Sequence, residues 1–165
     1  MKQNYKNLQT SSRLIDGELM SDAKAGNTSL RRRSREMALQ LLFQSEFTAG
    51  GFDGAGASEV LKRFSSDFSF EKDVLDYGSQ LFLGVAQTMK DIDGLIQGSS
   101  SHWKTSRMGL VDLSVMRIAV YEMKFMRPPI PPSVAINEAV EIAKIFGSTE
   151  SGAFVNGILD QVSRG

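Results

Sequence analysis

From Leu30 onward, apolar residues recur every three or four positions, the spacing that lines one face of a helix. In LRRRSREMALQLLFQSEFTA, residues 30–49, Met37, Ala38, Leu41, Leu42 and Ser45 form such a stripe among strong helix formers, which predicts a helix. Gly50, Gly51, Gly54 and Gly56 then interrupt it. Ser58 is placed to cap a short helix of about ten residues that carries Val60, Leu61 and Phe64. Val74, Leu75, Leu81, Phe82, Val85, Met89, Ile92, Leu95 and Ile96 mark a long helix from about Glu71 to Ile96. Gly78 and Gly84 weaken it by about 1 kcal/mol each relative to Ala, and they would let a neighbouring helix come close.

A further helix is predicted over Leu110–Met126, stopped by Arg127 and PPIPP because proline disfavours helical geometry in the residue before it. Ser133–Phe146 form the next, ended by Gly147, and Glu150–Val162 the last. No strand ladder or repeat is visible, so the expected fold is all-α: a bundle of six or seven helices. Residues 1–29 are rich in Ser, Asn, Gln, Gly and Lys and lack a sustained apolar period, which predicts a flexible N-terminal extension ahead of a helical domain at 30–165.

Composition narrows the chemistry. The chain has 165 residues, no Cys and a single His. That excludes a disulfide framework, a thiolate zinc site and a cysteine nucleophile, and it leaves no imidazole cluster for a metal. The net charge is zero but unevenly spread: residues 1–35 hold eight basic and three acidic side chains, residues 36–165 eleven basic against sixteen acidic. A basic end on an acidic body points to a polyanion contact at that end or to a solvated basic arm. No apolar stretch approaches membrane-spanning length, and Lys2–Leu30 lacks the apolar centre of a secretory signal, so a soluble cytoplasmic protein is expected.

Enzymatic chemistry finds no support. GGFDGAG lacks the Lys-Ser/Thr ending of a phosphate loop, and no strand precedes it. His102 stands beside Trp103 in a short connector without a paired nucleophile. The acid pairs Asp91 with Asp93 and Glu138 with Glu141 fit solvated helix faces, and Glu138 or Glu141 can pair with Lys144 at the surface. No enzyme activity, cofactor or metal is expected.

Two segments do suggest a ligand. Arg31, Arg32, Arg33 and Arg35 crowd the start of a helix, where the macrodipole disfavours cations, so helix stability alone does not account for them. Guanidinium groups offer forked donors to phosphate and flat faces to bases, as single-stranded RNA requires. In GSTESGAFVNG, Gly147 releases one helix, and Ser148, Thr149, Glu150 and Ser151 lead into the open N-terminus of the next, a place where N–H groups can take a phosphate. Ordinary capping by Ser148 or Thr149 explains the same residues. Phe154 can stack a base or fill the core, and Asn156-Gly157 within a helix suggests a close helix contact or a ligand contact.

Three stretches, RRRSREMALQLLFQSEF at 31–47, HWKTSRMGLVDLSVMRIAVYEM at 102–123 and VAINEAVEIAKIFGSTESGAFVNGILD at 134–160, resemble in order and spacing the NusB family of bacterial transcription antitermination factors. The resemblance covers roughly Leu30–Val162. It implies two small helical subdomains, binding to boxA-type RNA, a heterodimer with NusE (also a small-subunit ribosomal protein) within the transcription elongation complex, and no catalysis. On this resemblance the RNA contacts are Arg31, Arg32, Arg33, Arg35, Ser148, Glu150, Ser151, Phe154 and Asn156. The helix at 110–126 and its approach fall on the NusE side, with Arg107, Asp112 and Arg117 as polar contacts on the outside. Leu113 and Ala153 stand where members commonly have a basic residue; the first implies a partner surface different in detail, the second one phosphate contact fewer, with RNA affinity weaker or carried more by the N-terminal arginines. The competing reading is a protein-interaction or homodimerisation module with solvated arginines.

Overall fold

Six α-helices follow one another in the computed structural model, which describes residues 30–47 and 54–165. They are α1 (Leu30–Ser45), α2 (Gly54–Asp67), α3 (Lys72–Gly98), α4 (Leu110–Val120), α5 (Pro132–Phe146) and α6 (Ser151–Arg164). A 3-10 turn, Thr105–Arg107, precedes α4, and a π-turn, Tyr121–Phe125, follows it. No strand occurs among the described residues. The predicted extension at 1–29 and the glycines Gly50 and Gly51 lie outside them.

The boundaries differ from the sequence pattern where tertiary contacts outweigh local preference. Helix α1 stops at Ser45 instead of running to Ala49; the next residue, Glu46, turns out of the helix to meet Arg117. Helix α2 begins at Gly54, so Ser58 lies inside it and not at its cap. Ala57 is fully buried, and packing of that first turn overrides the poor helix propensity of the glycines. After Val120 the backbone widens: Met126 N–H donates to the Tyr121 carbonyl at 3.0 Å, the five-residue spacing of a π-turn. Pro132 opens α5 at a position where its missing N–H costs no helical bond.

Helices α1, α2 and α3 pack together, as do α4, α5 and α6, and α4 also lies against α1 and α3. One apolar core runs through both groups, with Met37, Leu41, Phe82, Met116, Ile142 and Leu159 fully buried. Each such side chain contributes about 1.5–3 kcal/mol. The two glycines of α3 permit this packing. A Cβ on Gly78 would stand 2.7 Å from Met37 Sδ, and one on Gly84 would stand 2.0 Å from the Tyr121 ring. No described helix is long and apolar enough to cross a membrane.

Candidate nucleic-acid interface

At the start of α1 the four arginines differ in depth and in the partner each meets. Arg31 is exposed and its guanidinium lies 3.8 Å from the centre of the Tyr77 ring. Arg32 holds Glu138 of α5 in a two-pronged pair at 2.8 and 2.9 Å, and the hydrogen bond to Glu138 raises its pKa. Arg33 reaches Glu71 at 2.7 Å. Arg35 points inward, is 4% exposed, and binds Glu122 through Nε at 3.0 Å and Nη2 at 2.9 Å. Glu122, fully buried, also accepts a 2.5 Å hydrogen bond from the Tyr77 hydroxyl. Burial, then that bond, pushes the Tyr77 hydroxyl well above its ordinary range. Arg35 is therefore corrected from a phosphate contact to a core residue: its charge is consumed by Glu122 and, at 3.4 Å, by Glu138.

A second correction concerns Arg117. Expected on the outside, it is 7% exposed, gripped by Asp93 through two 2.8 Å bonds and by Glu46 at 2.9 Å. Burial opposes its charge, yet the bonds to Asp93 and Glu46 leave its pKa raised. It ties α1, α3 and α4 together and offers little to a partner. Asp93 and Glu138 are accordingly not on freely solvated faces, whereas Glu141 and Lys144 do form the expected surface pair at 2.8 Å. Arg107 is exposed in the 3-10 turn.

Asp112 lies in the first turn of α4, half-buried, with Oδ1 lacking a hydrogen-bond partner among the described residues. Burial raises its carboxyl pKa against a smaller opposing effect from the Ser151 hydroxyl. The sequence reading placed Asp112 and Ser151 on different surfaces; the fold puts them side by side.

The turn before α6 keeps its hydroxyls close to the backbone. Ser151 Oγ accepts from the Ser148 N–H at 2.8 Å, and the two hydroxyls lie 3.2 Å apart. Glu150 occupies the N-cap position but its side chain caps nothing. Ser148 and Glu150 are exposed, Ser151 is buried, and Phe154 is half-buried one turn on, its ring edge-on to Trp103 at 6.2 Å. Asn156 is exposed, and nothing lies within 4 Å of where a Gly157 Cβ would be, so the Asn-Gly pair marks no close helix contact. Glu138 and Phe146 are roughly 12 Å apart along α5, so α5 spaces the arginine end from the α6 turn.

Sequence reasoning missed the acids that hold the arginines. Glu122 stands with Arg117 in an otherwise largely apolar run, VMRIAVYEM, and charges inside that run were the available signal. Glu36 went unnoticed too: burial pushes its carboxyl up to about 6 despite Arg32 and Arg33 nearby. Among the described residues no cluster of His, Cys, Asp and Glu fit for a metal occurs.

A family model described as NusB family matches residues 32–164. The transcription antitermination protein NusB of Bdellovibrio bacteriovorus is 47% identical over 134 residues, covering 81% of this chain and 95% of that protein. That of Anaeromyxobacter dehalogenans (strain 2CP-1) is 45% identical over 139 residues, covering 84% and 93%. Among solved structures, T. maritima NusB superposes with a TM-score of 0.68 at 33% identity, over 81% of this chain and 90% of that one. A crystal structure of antitermination factors NusB and NusE in complex with dsRNA gives a TM-score of 0.67 at 22% identity over 84% and 98%, a likeness of fold. With its arginine-led first helix, its six-helix architecture and nearly all its described length matched, the chain belongs to the NusB family.

Proposed function

We propose that this protein is a cytoplasmic, non-enzymatic transcription antitermination factor that binds boxA-type RNA jointly with NusE in the elongation complex and supports transcription of ribosomal RNA. The observation that carries the RNA side is the presence of two ligand-ready features, one at the start of α1 and one at the start of α6, spaced by α5. Arg31, Arg32 and Arg33 crown α1, and the α6 turn offers Ser148, a helix N-terminus without a side-chain cap, Phe154 and Asn156. Phosphates would replace Glu138 and Glu71 as partners of Arg32 and Arg33, while the α6 turn would hold a phosphate on its N–H groups and stack a base on Phe154. Ser151 supports this turn from within, and Glu150 restrains affinity by repelling phosphate. Arg107 and Asp112, at the approach and first turn of α4, are the polar candidates for the NusE contact.

The test is a titration of the full chain with boxA-containing RNA, single-stranded and as a duplex, with and without NusE. Each ligand should tighten the other by the same factor, as linkage requires. Mutual competition, or no RNA binding in NusE's presence, overturns the reading.

A further inference from the structure

Trp103 is the only tryptophan in the chain, and it is 55% exposed on the connector between α3 and α4. Its backbone, by contrast, is fixed. The Trp103 carbonyl accepts hydrogen bonds from Ser100 Oγ at 2.9 Å and Gln97 Nε2 at 3.2 Å, and Gln97 Oε1 takes the Thr105 N–H at 3.0 Å. A large aromatic held out in water on an immobilised backbone gains little from burial, so packing does not explain its position. The indole meets Phe154 edge-on at 6.2 Å with an interplanar angle of 81°, which leaves ring surface uncovered. No acidic residue lies between Ser99 and Gly109, whereas Lys104 and Arg107 are both exposed there. Aromatic faces with adjoining cations form a stacking platform for single-stranded nucleic acid.

We propose that Trp103 is a base-stacking residue which extends the RNA site from Phe154 onto the α3–α4 connector, with Lys104 and Arg107 beside it for phosphate. This rests on the RNA-binding reading above. The occupant is a base of single-stranded RNA, because the continuous partner surface is the Phe154 ring and the charges on the connector, Lys104 and Arg107, are positive.

As the lone tryptophan, Trp103 reports on itself. With the full chain excited at 295 nm, boxA-containing single-stranded RNA should quench its emission saturably. Trp103→Ala should weaken binding about five- to 100-fold with the salt slope unchanged, and Trp103→Phe should restore most of the loss. Circular dichroism and melts of both variants control for folding, and the wild-type quenching needs no variant. RNA binding without any emission change, together with Trp103→Ala binding within twofold of wild type, overturns the inference and leaves the RNA reading intact. An emission shift on adding NusE alone, with none on adding RNA, also overturns it, assigning the indole to a protein contact. Failure of wild-type protein to bind RNA by an independent gel-shift assay removes both.

Discussion

The first turns of α1 and α6 face the same requirement, a helix start with unpaired N–H groups, and meet it in opposite ways. Helix α1 crowds guanidinium groups where the macrodipole repels them and recovers stability by drawing acids from elsewhere: Glu71 before α3, Glu122 in the π-turn, and Glu138 on α5. Helix α6 carries no cation in its first turn and is organised by the short bonds between Ser148 and Ser151. One end is thus an ion-pair network whose outer members can exchange carboxylate for phosphate, and the other is a nearly neutral turn with an aromatic beside it. The difference is one of charge: α1 begins on paired guanidinium groups, of which Arg35 alone is buried in the core, whereas α6 begins on hydroxyls.

The strongest way to break the contrast is to remove the acid beneath α1. Glu122→Ala leaves Arg35 buried without its main partner and frees the Tyr77 hydroxyl, and should destabilise the chain by about 3–5 kcal/mol in urea unfolding. The double change Arg35→Met with Glu122→Leu should recover most of that loss, since no charge remains to be desolvated. Equal damage from the double change would mean that the network matters for shape and not for charge balance.

On the α6 side, Phe154→Ala should weaken RNA binding by about 1–3 kcal/mol while leaving the slope of log affinity against log salt unchanged. A changed slope would place the ring among the charge contacts. Because Phe154 is half-buried, a melt must accompany the measurement; normal RNA binding by an early-melting variant would assign the ring to the core.

Glu36 sharpens the α1 side. The folded chain holds its proton up to about pH 6, whereas an ordinary carboxyl releases it near 4.5. The folded state therefore binds more protons between those values, and stability falls as pH rises through them. Above pH 6 the charged group costs about 2 kcal/mol, so Glu36→Gln should stabilise the protein by up to that amount at pH 7 and make no difference near pH 4. Arg32, Arg33 and Glu138 act on the same carboxyl, so the pH scan is best read against Glu138→Gln as a second reference.

The smallest effect on stability is expected at Arg33. Its pair with Glu71 is largely exposed, so Arg33→Ala should cost less than about 1 kcal/mol in unfolding. If it contacts phosphate, the same change should reduce the magnitude of the salt slope by about 0.7. An unchanged slope would leave Arg31 and Arg32 as the phosphate-binding pair.

The helical period from Leu30 to Val162 fixed the order of the elements and bounded their number at six or seven, and Gly78 and Gly84 announced close approaches that Met37 and Tyr121 fulfil. Those features follow from local preference and from the need to bury one face of each helix. The arginine cluster stood out as well, because cations are out of place at a helix start. The four arginines of RRRSR nevertheless do not reveal which guanidinium turns inward. Arg31 and Arg35, four residues apart, share a face; Arg35, one turn deeper, reaches Glu122, 87 positions away, while Arg31 stays exposed over Tyr77. Arg117 likewise read as a surface charge until Asp93 of α3 and Glu46, just past the end of α1, converged on it. Whether a charge is free for a ligand depends on partners distant in the chain, and only the packing of helices brings those partners within hydrogen-bonding reach.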